Sequence, residues 1–381
     1  MIRIALALRM IDYYEHGIGR GVVRYAKTHR DWKVHGYRWM FATLQDLRDW
    51  DGDGVIARLR DTAEAENVRR LACPVVDVAN AFRLPDVHLV QNDDLEAGRM
   101  AARYFREKGF TTFGYLGVSG HELSRQRLAG FREELGSEAL AAFERSASWW
   151  EQNDRKPSLR SFVARQSKPA AFFAGSDRAA LRFSEACAEE GVEIPTDVTL
   201  LSVSSDDVPC ELANPSFSSI DLDAEEMGWQ AAHLLHELIK EKPPHQRRVR
   251  VVRPRGIVER RSTETYASNE PLVSRALTYL DSESGHLSSV MEIAKELAVS
   301  RRTLENRFKR ATGRTVHETI LVRRIRMAKG LLQTTGHKVE VIAELSGFGS
   351  PQRFFVQFKR LTGVTPNQFR LGKRPLALRW P

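Results

Sequence analysis

The stretch "IAKELAVSRRTLENRFKR" (Ile293 to Arg310) returns as "IAELSGFGSPQRFFVQFKR" (Ile342 to Arg360), and the endings "FKRATGRT" and "FKRLTGVT" superpose at an offset of fifty. A segment repeated in register must adopt one local fold twice. In the first copy Val290, Ile293, Ala294 and Leu297 fall at i, i+3, i+4 and i+7, which makes a single apolar stripe on a short helix. "AVS" breaks that helix. Ser300 then suits an N-cap, and Leu304 with Phe308 sets an apolar i, i+4 pair on the buried side of a second short helix. Arg302, Glu305 and Asn306 must therefore face outward. The second copy keeps the plan, with Ile342 and Ala343 on its first helix, Gly347 in the turn, Ser350 as N-cap and Pro351 at the first helical position. Phe354 and Phe358 take the places of Leu304 and Phe308. Helix, tight turn and helix with a polar outer face is the helix-turn-helix device. "VHETILVRRIRMAKGLLQTT" between the copies reads as one helix of about 20 residues, roughly 30 Å long.

Charge says what such a pair would meet. The chain of 381 residues carries a net +9. From Thr263 onward there are 20 Lys/Arg against 10 Asp/Glu, or +10, and the rest is 38 against 39, or −1. A concentrated basic module on a neutral body is the footprint of polyanion binding, because each cation near a phosphate releases a condensed counterion. An ordinary solvated basic face is the bland alternative. The connecting helix approaches the ~34 Å between successive major-groove faces of B-DNA, so two copies suit two neighbouring turns of one duplex.

Before Arg261 the grammar is different. Short β-type runs alternate with helical patterns: "RIALAL" then "GIGRGVVRYAKTH", "GVIARL" then "TAEAENVRRLA", "PVVDVA", "DLEAGRMAARYFREKG" then "TFGYLGV". The pattern continues with "QRLAGFREEL", "PAAFFAGS", "DRAALRFSEACAEEG" ended by Gly191, and "VTLLSVSSDD". This is βαβ order, and two halves of roughly 120 residues predict two α/β lobes with a cleft between them. "RRVRVVRPRGIVERRST" alternates like a β element and closes the part. We therefore expect residues 1–262 as a two-lobed α/β domain, 263–270 as a linker and 271–381 as an all-α domain, with "GKRPLALRWP" as a frayed tail.

With 42 % apolar and 28 % charged residues the chain is of ordinary globular composition. No run reaches the roughly 18 apolar residues of a membrane span. "MIRIALALRM", broken by Arg3 and Arg9, reads as a first buried strand rather than a signal peptide, and a cytoplasmic location is expected. Cys73, Cys187 and Cys210 form no CxxC pair and are expected to be inert core thiols.

Nothing in the first part signals catalysis. GxxxxGK[ST], GxSxG and GxGxxG after a strand are all missing, and "GIGRG" lacks the spacing. His233 and His236 form HxxH, which without a third ligand suits an amphipathic helix better than a metal. No cofactor or metal is expected. Asp206 and Asp207 are acids at a strand end, where binding or capping is commoner than acid/base chemistry.

The basic third resembles the AraC/XylS family of transcription regulators over residues 271–370, through "IAKELAVSRRTLENRFKRATGRT", "RRIRMAKGLL" and "IAELSGFGSPQRFFVQFKRLTGVTPNQFR". In that family the second helix of each motif enters the major groove. The resemblance implies that Arg302, Glu305 and Asn306, then Gln352 and Val356, face bases, while Arg301, Arg307, Arg353 and Lys359 meet phosphates. Arg can fork onto guanine, Asn and Gln pair with adenine, and Val touches a thymine methyl. Where Val356 stands, family members often carry a polar or basic group.

The first 262 residues resemble the LacI/GalR type of sensor, itself similar to periplasmic sugar-binding proteins, through "QNDDLEAGRMAARYF", "SRQRLAGFREEL", "FFAGSDRAA", "LLSVSSDD" and "VERRST". Neither that family's N-terminal headpiece nor its hinge helix is expected in this chain. The resemblance implies a pocket of Tyr13, Tyr14, Glu15, Asp93, Arg127, Asp177 and Asp206. A polyol fits this set, since Asp206 can accept from two adjacent hydroxyls, Arg127 offers a fork, and Trp150 or Trp149 can cover a ring face. An Asp at a helix start is equally an N-cap, Asp206 and Arg127 could instead form a structural ion pair, and the two tryptophans cannot be told from core by sequence. The resulting expectation is a homodimeric, non-enzymatic regulator, an activator with RNA polymerase as a further partner, holding an operator duplex and sensing a small sugar, a pentose such as xylose. A sugar-modifying enzyme with a DNA-binding tail and a nucleobase sensor are the alternatives.

Overall fold

Strands buried on both faces of a parallel sheet read as unbroken apolar runs, and the first two-thirds of this chain is written that way. A computed structural model of the chain describes residues 1–10, 13–35, 47, 50–59, 62–81, 84–152, 157–203, 207–241, 246–265, 270–281, 288–312 and 315–371. It divides into two units, the first ending at Thr263 and the second beginning at Glu264. The expected tail, residues 372–381, and residues 266–269 of the expected linker lie outside the described residues.

The first unit holds two six-stranded sheets. One comprises β1 (Ile2–Ala7), β2 (Trp32–His35), β3 (Gly54–Ala57), β4 (Val75–Asp77), β5 (His88–Asn92) and β11 (Val249–Val252), in the order β11-β5-β4-β3-β1-β2. The other comprises β6 (Phe113–Val118), β7 (Leu140–Arg145), β8 (Ala170–Ala174), β9 (Val198–Val203), β10 (Ser218–Asp221) and β12 (Gly256–Val258), in the order β12-β10-β9-β8-β6-β7. The pairings are parallel throughout, save β12 on β10. Every residue of β6, β8 and β9 is buried, which is why those runs carry no polar alternation.

The lobes are not the consecutive halves that the sequence suggested. The chain leaves the first lobe after β5, returns after β10 into α9 (Ala224–Lys240), and crosses again between β11 and β12. Burial decides this. Met227, Ala231, Leu234, Leu235 and Leu238 of α9 pack with Ile18 and Val22 of α1 (Tyr13–Thr28) against Ile56, Val76 and Val90 of the first sheet. The "β element" at 247–263 divides around Pro254, which cannot donate to a ladder, so β11 joins the first sheet and β12 the second.

Helix α1 lies so close to α9 that a Cβ on Gly228 would sit 1.9 Å from the Ile18 carbonyl oxygen, and one on Gly21 1.9 Å from that of Glu225. The second lobe repeats the device where α3 (Asp94–Glu107) crosses α4 (Glu122–Leu135), with Gly130 against Leu95 O at 1.9 Å and Gly98 against Arg127 O at 2.1 Å. "GIGRG" is thus a helix-crossing surface, not a phosphate loop. Gly228→Ala is expected to destabilise the first unit by about 1–3 kcal/mol, because backbone must move to admit the methyl. A lowered urea midpoint at unchanged slope is the expected readout, and an unshifted midpoint would contradict the close approach.

A buried polar knot ends the unit. Ser262 Oγ donates to Leu200 O at 2.6 Å, Thr199 Oγ1 donates to Ser262 O at 2.9 Å, and Thr263 Oγ1 lies 2.7 Å from Tyr104 OH and 2.6 Å from Ser218 Oγ.

The second unit is all helix among its described residues: α10 (Pro271–Asp281), α11 (Val290–Glu296), α12 (Arg301–Thr312), α13 (Val316–Thr334), α14 (Val339–Leu345), α15 (Pro351–Thr362) and α16 (Pro366–Arg370). Each motif has its own core. Val290, Ile293, Ala294, Leu297, Leu304 and Phe308 pack with α10, and Val339, Ile342, Ala343, Phe354 and Phe358 form the other cluster. Helix α13 serves both, giving Val316 and Ile320 to the first core and Leu321, Ile325, Ala328 and Leu332 to the second. The turns match until one residue differs. Val299 N donates to Ala294 O at 3.0 Å as Phe348 N does to Ala343 O at 2.9 Å, and Ala298 (φ 54°) holds the left-handed position that Gly347 (φ 78°) fills in the second motif. Gly349 is then inserted before the Ser350 cap.

Candidate functional site

In open parallel sheets the groups that meet a ligand stand beyond the carboxyl ends of the strands. Beyond β1, Tyr14 and Glu15 open α1, Glu15 fully buried and accepting from Arg58 Nη1 at 3.0 Å. Arg58, which follows β3, also lies over the Tyr14 ring at 5.4 Å. Tyr14 OH donates to Asn92 Oδ1 at the end of β5. At the end of β4, Asp77 accepts the amides of Leu59, Ala79 and Asn80, yet burial still pushes its carboxyl up to about 6. In the second lobe, Asp177 opens α7 (Asp177–Glu189) after β8 and accepts from Ser202 Oγ.

The same lobe holds Arg127 of α4, which is 6 % exposed. Its Nε donates to Asp94 Oδ1 at 2.7 Å and its Nη1 to Gly175 O at 2.7 Å. Burial raises the Asp94 carboxyl above its ordinary range while Arg127 opposes the rise. Glu122 N, at the start of α4, donates across to Ala81 O at 3.1 Å. His121 stands beside it, held below its usual value by burial and by the charge of Arg58.

The structure sorts the expected pocket residues. Arg127 lies inside α4, and Tyr14, Glu15 and Asp177 come to helix starts beyond strand ends. Asp93 is there too, with Oδ1 capping α3 through Glu96 N at 3.0 Å. Trp150 is corrected: it is 1 % exposed, sits in the second lobe's core and donates its indole N–H to Gly117 O at 2.9 Å. Its ring packs edge-on against Phe143 and Trp149, so no face is left for a sugar. The side chain of Tyr13 and the whole of Asp206 lie outside the described residues. Sequence reading missed Asn92, Arg58 and Asp94. Asn92 and Asp94 flank Asp93 in "QNDD", a polar cluster directly after a strand, and that cluster was the available signal.

His236 is buried against Tyr25, its Nδ1 2.8 Å from Tyr25 OH, and His233 lies beside Glu237 at 3.5 Å. Among the described residues no group of three His, Cys, Asp or Glu is placed to hold a metal, and no helix is long and apolar enough to cross a membrane. Burial pushes the Cys187 thiol up to about 12 and that of Cys73 to about 11.

On the second unit, Leu304 and Phe308 turn inward, which leaves Arg301, Arg302 and Asn306 exposed on α12. Helix α15 presents Gln352, Arg353, Val356 and Lys359 in the same way, with Val356 63 % exposed. Glu305 differs, since its carboxylate accepts from Val316 N at 3.4 Å and so neutralises the start of α13. Arg307 pairs with Glu270.

Two parallel-sheet lobes ringed by hydrogen-bonding groups at their strand ends, joined to twin helix-turn-helix motifs on a basic module, define a DNA-binding transcription regulator with a periplasmic-binding-protein-like domain. The model of a XylR N-terminal domain matches residues 3–94, that of a periplasmic binding protein-like domain residues 102–263, and that of a helix-turn-helix domain residues 293–372. The xylose operon regulatory protein of Escherichia coli (strain K12) is 26 % identical over 97 % of this chain and 96 % of its own. That of Haemophilus influenzae is 25 % identical over 97 % and 98 %. The solved structure of the xylose-binding transcription activator xylR matches with a TM-score of 0.60 at 24 % identity, over 98 % of both chains. The chain is an AraC-family, XylR-like regulator.

Proposed function

We propose that the two-lobed domain binds a pentose, with D-xylose as the first choice, and that its closure changes how the twin motifs hold an operator. The arrangement of Tyr14, Glu15, Arg58, Asp93, Arg127 and Asp177 supports this reading: hydrogen-bond donors and acceptors stand on both lobes, and no metal cluster is placed among the described residues. Asp206 joins them in this reading, as do Tyr13 and the full-length likeness to xylose operon regulators. An effector can shift operator affinity only by its own difference in affinity for the open and closed forms.

The regulator binds its effector without turning it over. It acts in the cytoplasm as a homodimer, since paired half-sites multiply affinity, and as an activator it engages RNA polymerase. Residues 263–270 link a domain of residues 1–262 to one of 271–381. Thermal unfolding with D-xylose, hexoses and purines tests the effector. At 1 mM, a sugar bound with a Kd of about 10 μM should add about 2.7 kcal/mol. Stabilisation by a purine with none from D-xylose would reverse the assignment, and conversion of the sugar would make the protein an enzyme.

A further inference from the structure

Three segments carry the chain between the lobes: residues 92–94 between β5 and α3, 221–224 between β10 and α9, and 252–256 between β11 and β12. Any opening or closing of the lobes must turn about these three. They are bonded to one another. Asp93 N donates to Val252 O at 2.8 Å, and Arg255 N donates to Asp221 O at 2.8 Å. Arg255 Nη2 lies 3.1 Å from Asp223 Oδ1, and Asp223 is fully buried, left-handed (φ 57°) and caps α9 through Glu226 N at 3.2 Å. A left-handed residue without glycine's freedom, fixed by a cap and an ion pair, marks a hinge whose backbone is held by its surroundings.

Asn92 reaches beyond this set, as Asp94 does to Arg127. Asn92, 5 % exposed, donates Nδ2 to Leu222 O at 2.6 Å, and its Oδ1 accepts from Tyr14 OH. Its amide therefore joins the first crossing to the second and both to the start of α1. There Arg58 covers the Tyr14 ring and pairs with Glu15. A hydrogen-bonded amide whose donor and acceptor ends serve different elements fixes their relative position, because neither end can be satisfied after either partner moves.

We infer that Asn92 is a positioning residue that couples the effector site to the hinge, through the chain Tyr14 OH, Asn92 and Leu222 O. This rests on the reading of the first unit as an effector-binding domain. Asn92 itself touches no effector in this scheme. It sets the balance between open and closed lobes, and hence how strongly an effector changes operator affinity.

The test uses the full-length chain with one fluorophore on an exposed helix of each lobe, and two variants. Asn92→Asp keeps the acceptor for Tyr14 but turns a carboxylate oxygen on Leu222 O, and Asn92→Ala removes both bonds without adding charge. Without effector, both variants should shift or broaden the interlobe distance distribution relative to wild type. With D-xylose, the ratio of operator affinities with and without sugar should fall at least fivefold towards one. Operator affinity without sugar should move in step with the sugar-free lobe distribution, whereas a merely destabilised protein would lower the fraction competent to bind while leaving the affinity and lobe distribution of the rest unchanged. Unchanged distance distributions in both variants would overturn the inference, as would an unchanged affinity ratio in a wild type that responds to D-xylose. If wild type itself ignores D-xylose, the effector reading fails, and the sugar-free distance distributions still decide the role of Asn92.

Discussion

Replacing Arg127 with alanine is expected to cost about 3–5 kcal/mol of stability, because it strands the Asp94 carboxylate, 3 % exposed, without its counter-charge. The loss should depend on pH in a stated direction. Burial already holds the Asp94 carboxyl above its ordinary range, and Arg127 opposes that rise, so removing Arg127 lifts it further. A carboxyl raised in the folded state keeps its proton there while the unfolded chain releases it. Stability therefore falls as pH climbs above the unfolded carboxyl value of about 4. The deficit of Arg127→Ala should be smaller at pH 5 than at pH 8, as measured by urea unfolding at both. An equal deficit at the two would place Asp94 in solvent and dissolve the buried pair. Effector binding should be lost as well, and Asp94→Asn, which keeps the Arg127 side chain, separates the two effects. A buried partner need not exclude a ligand role, since a guanidinium has five N–H donors and Asp94 and Gly175 do not use them all.

The second large effect is on DNA. Arg302→Ala and Gln352→Ala should each weaken operator binding by about 1–3 kcal/mol, and the pair by roughly the sum, since the two side chains belong to separate motifs. Lys359→Ala, by contrast, should weaken all sequences alike and reduce the slope of log affinity against log salt by about one. Anisotropy titrations on a selected operator and on a scrambled duplex distinguish these outcomes. Wild-type affinity and footprint in the Arg302 and Gln352 double variant would show that α12 and α15 do not read bases.

Much of the second unit is legible in sequence because it is built from short-range regularities. The i, i+4 pairs Leu304 with Phe308 and Phe354 with Phe358 announce the buried sides, and what remains outward is the exposed face. Even there the tertiary structure redirected Glu305 to the start of α13 and Arg307 to Glu270, contacts that no helical period encodes.

The first unit divides differently. Its βαβ order, the class of its sheets and the strand ends around which a ligand site must form follow from the sequence alone, because strands buried on both faces write continuous apolar runs. What only the folded chain decided is how those runs are shared between lobes and which polar groups meet. Arg127 finds Asp94 across 33 positions, Tyr14 finds Asn92 across 78, and Asn92 finds Leu222 across 130. Periodicity reaches a turn or two along the chain, whereas these partnerships are set by which buried donor lies opposite which buried acceptor once the sheets have formed. Trp150 shows the same limit: aromatic rings in a core and at a sugar site are written with one letter, and the Gly117 carbonyl settled the matter.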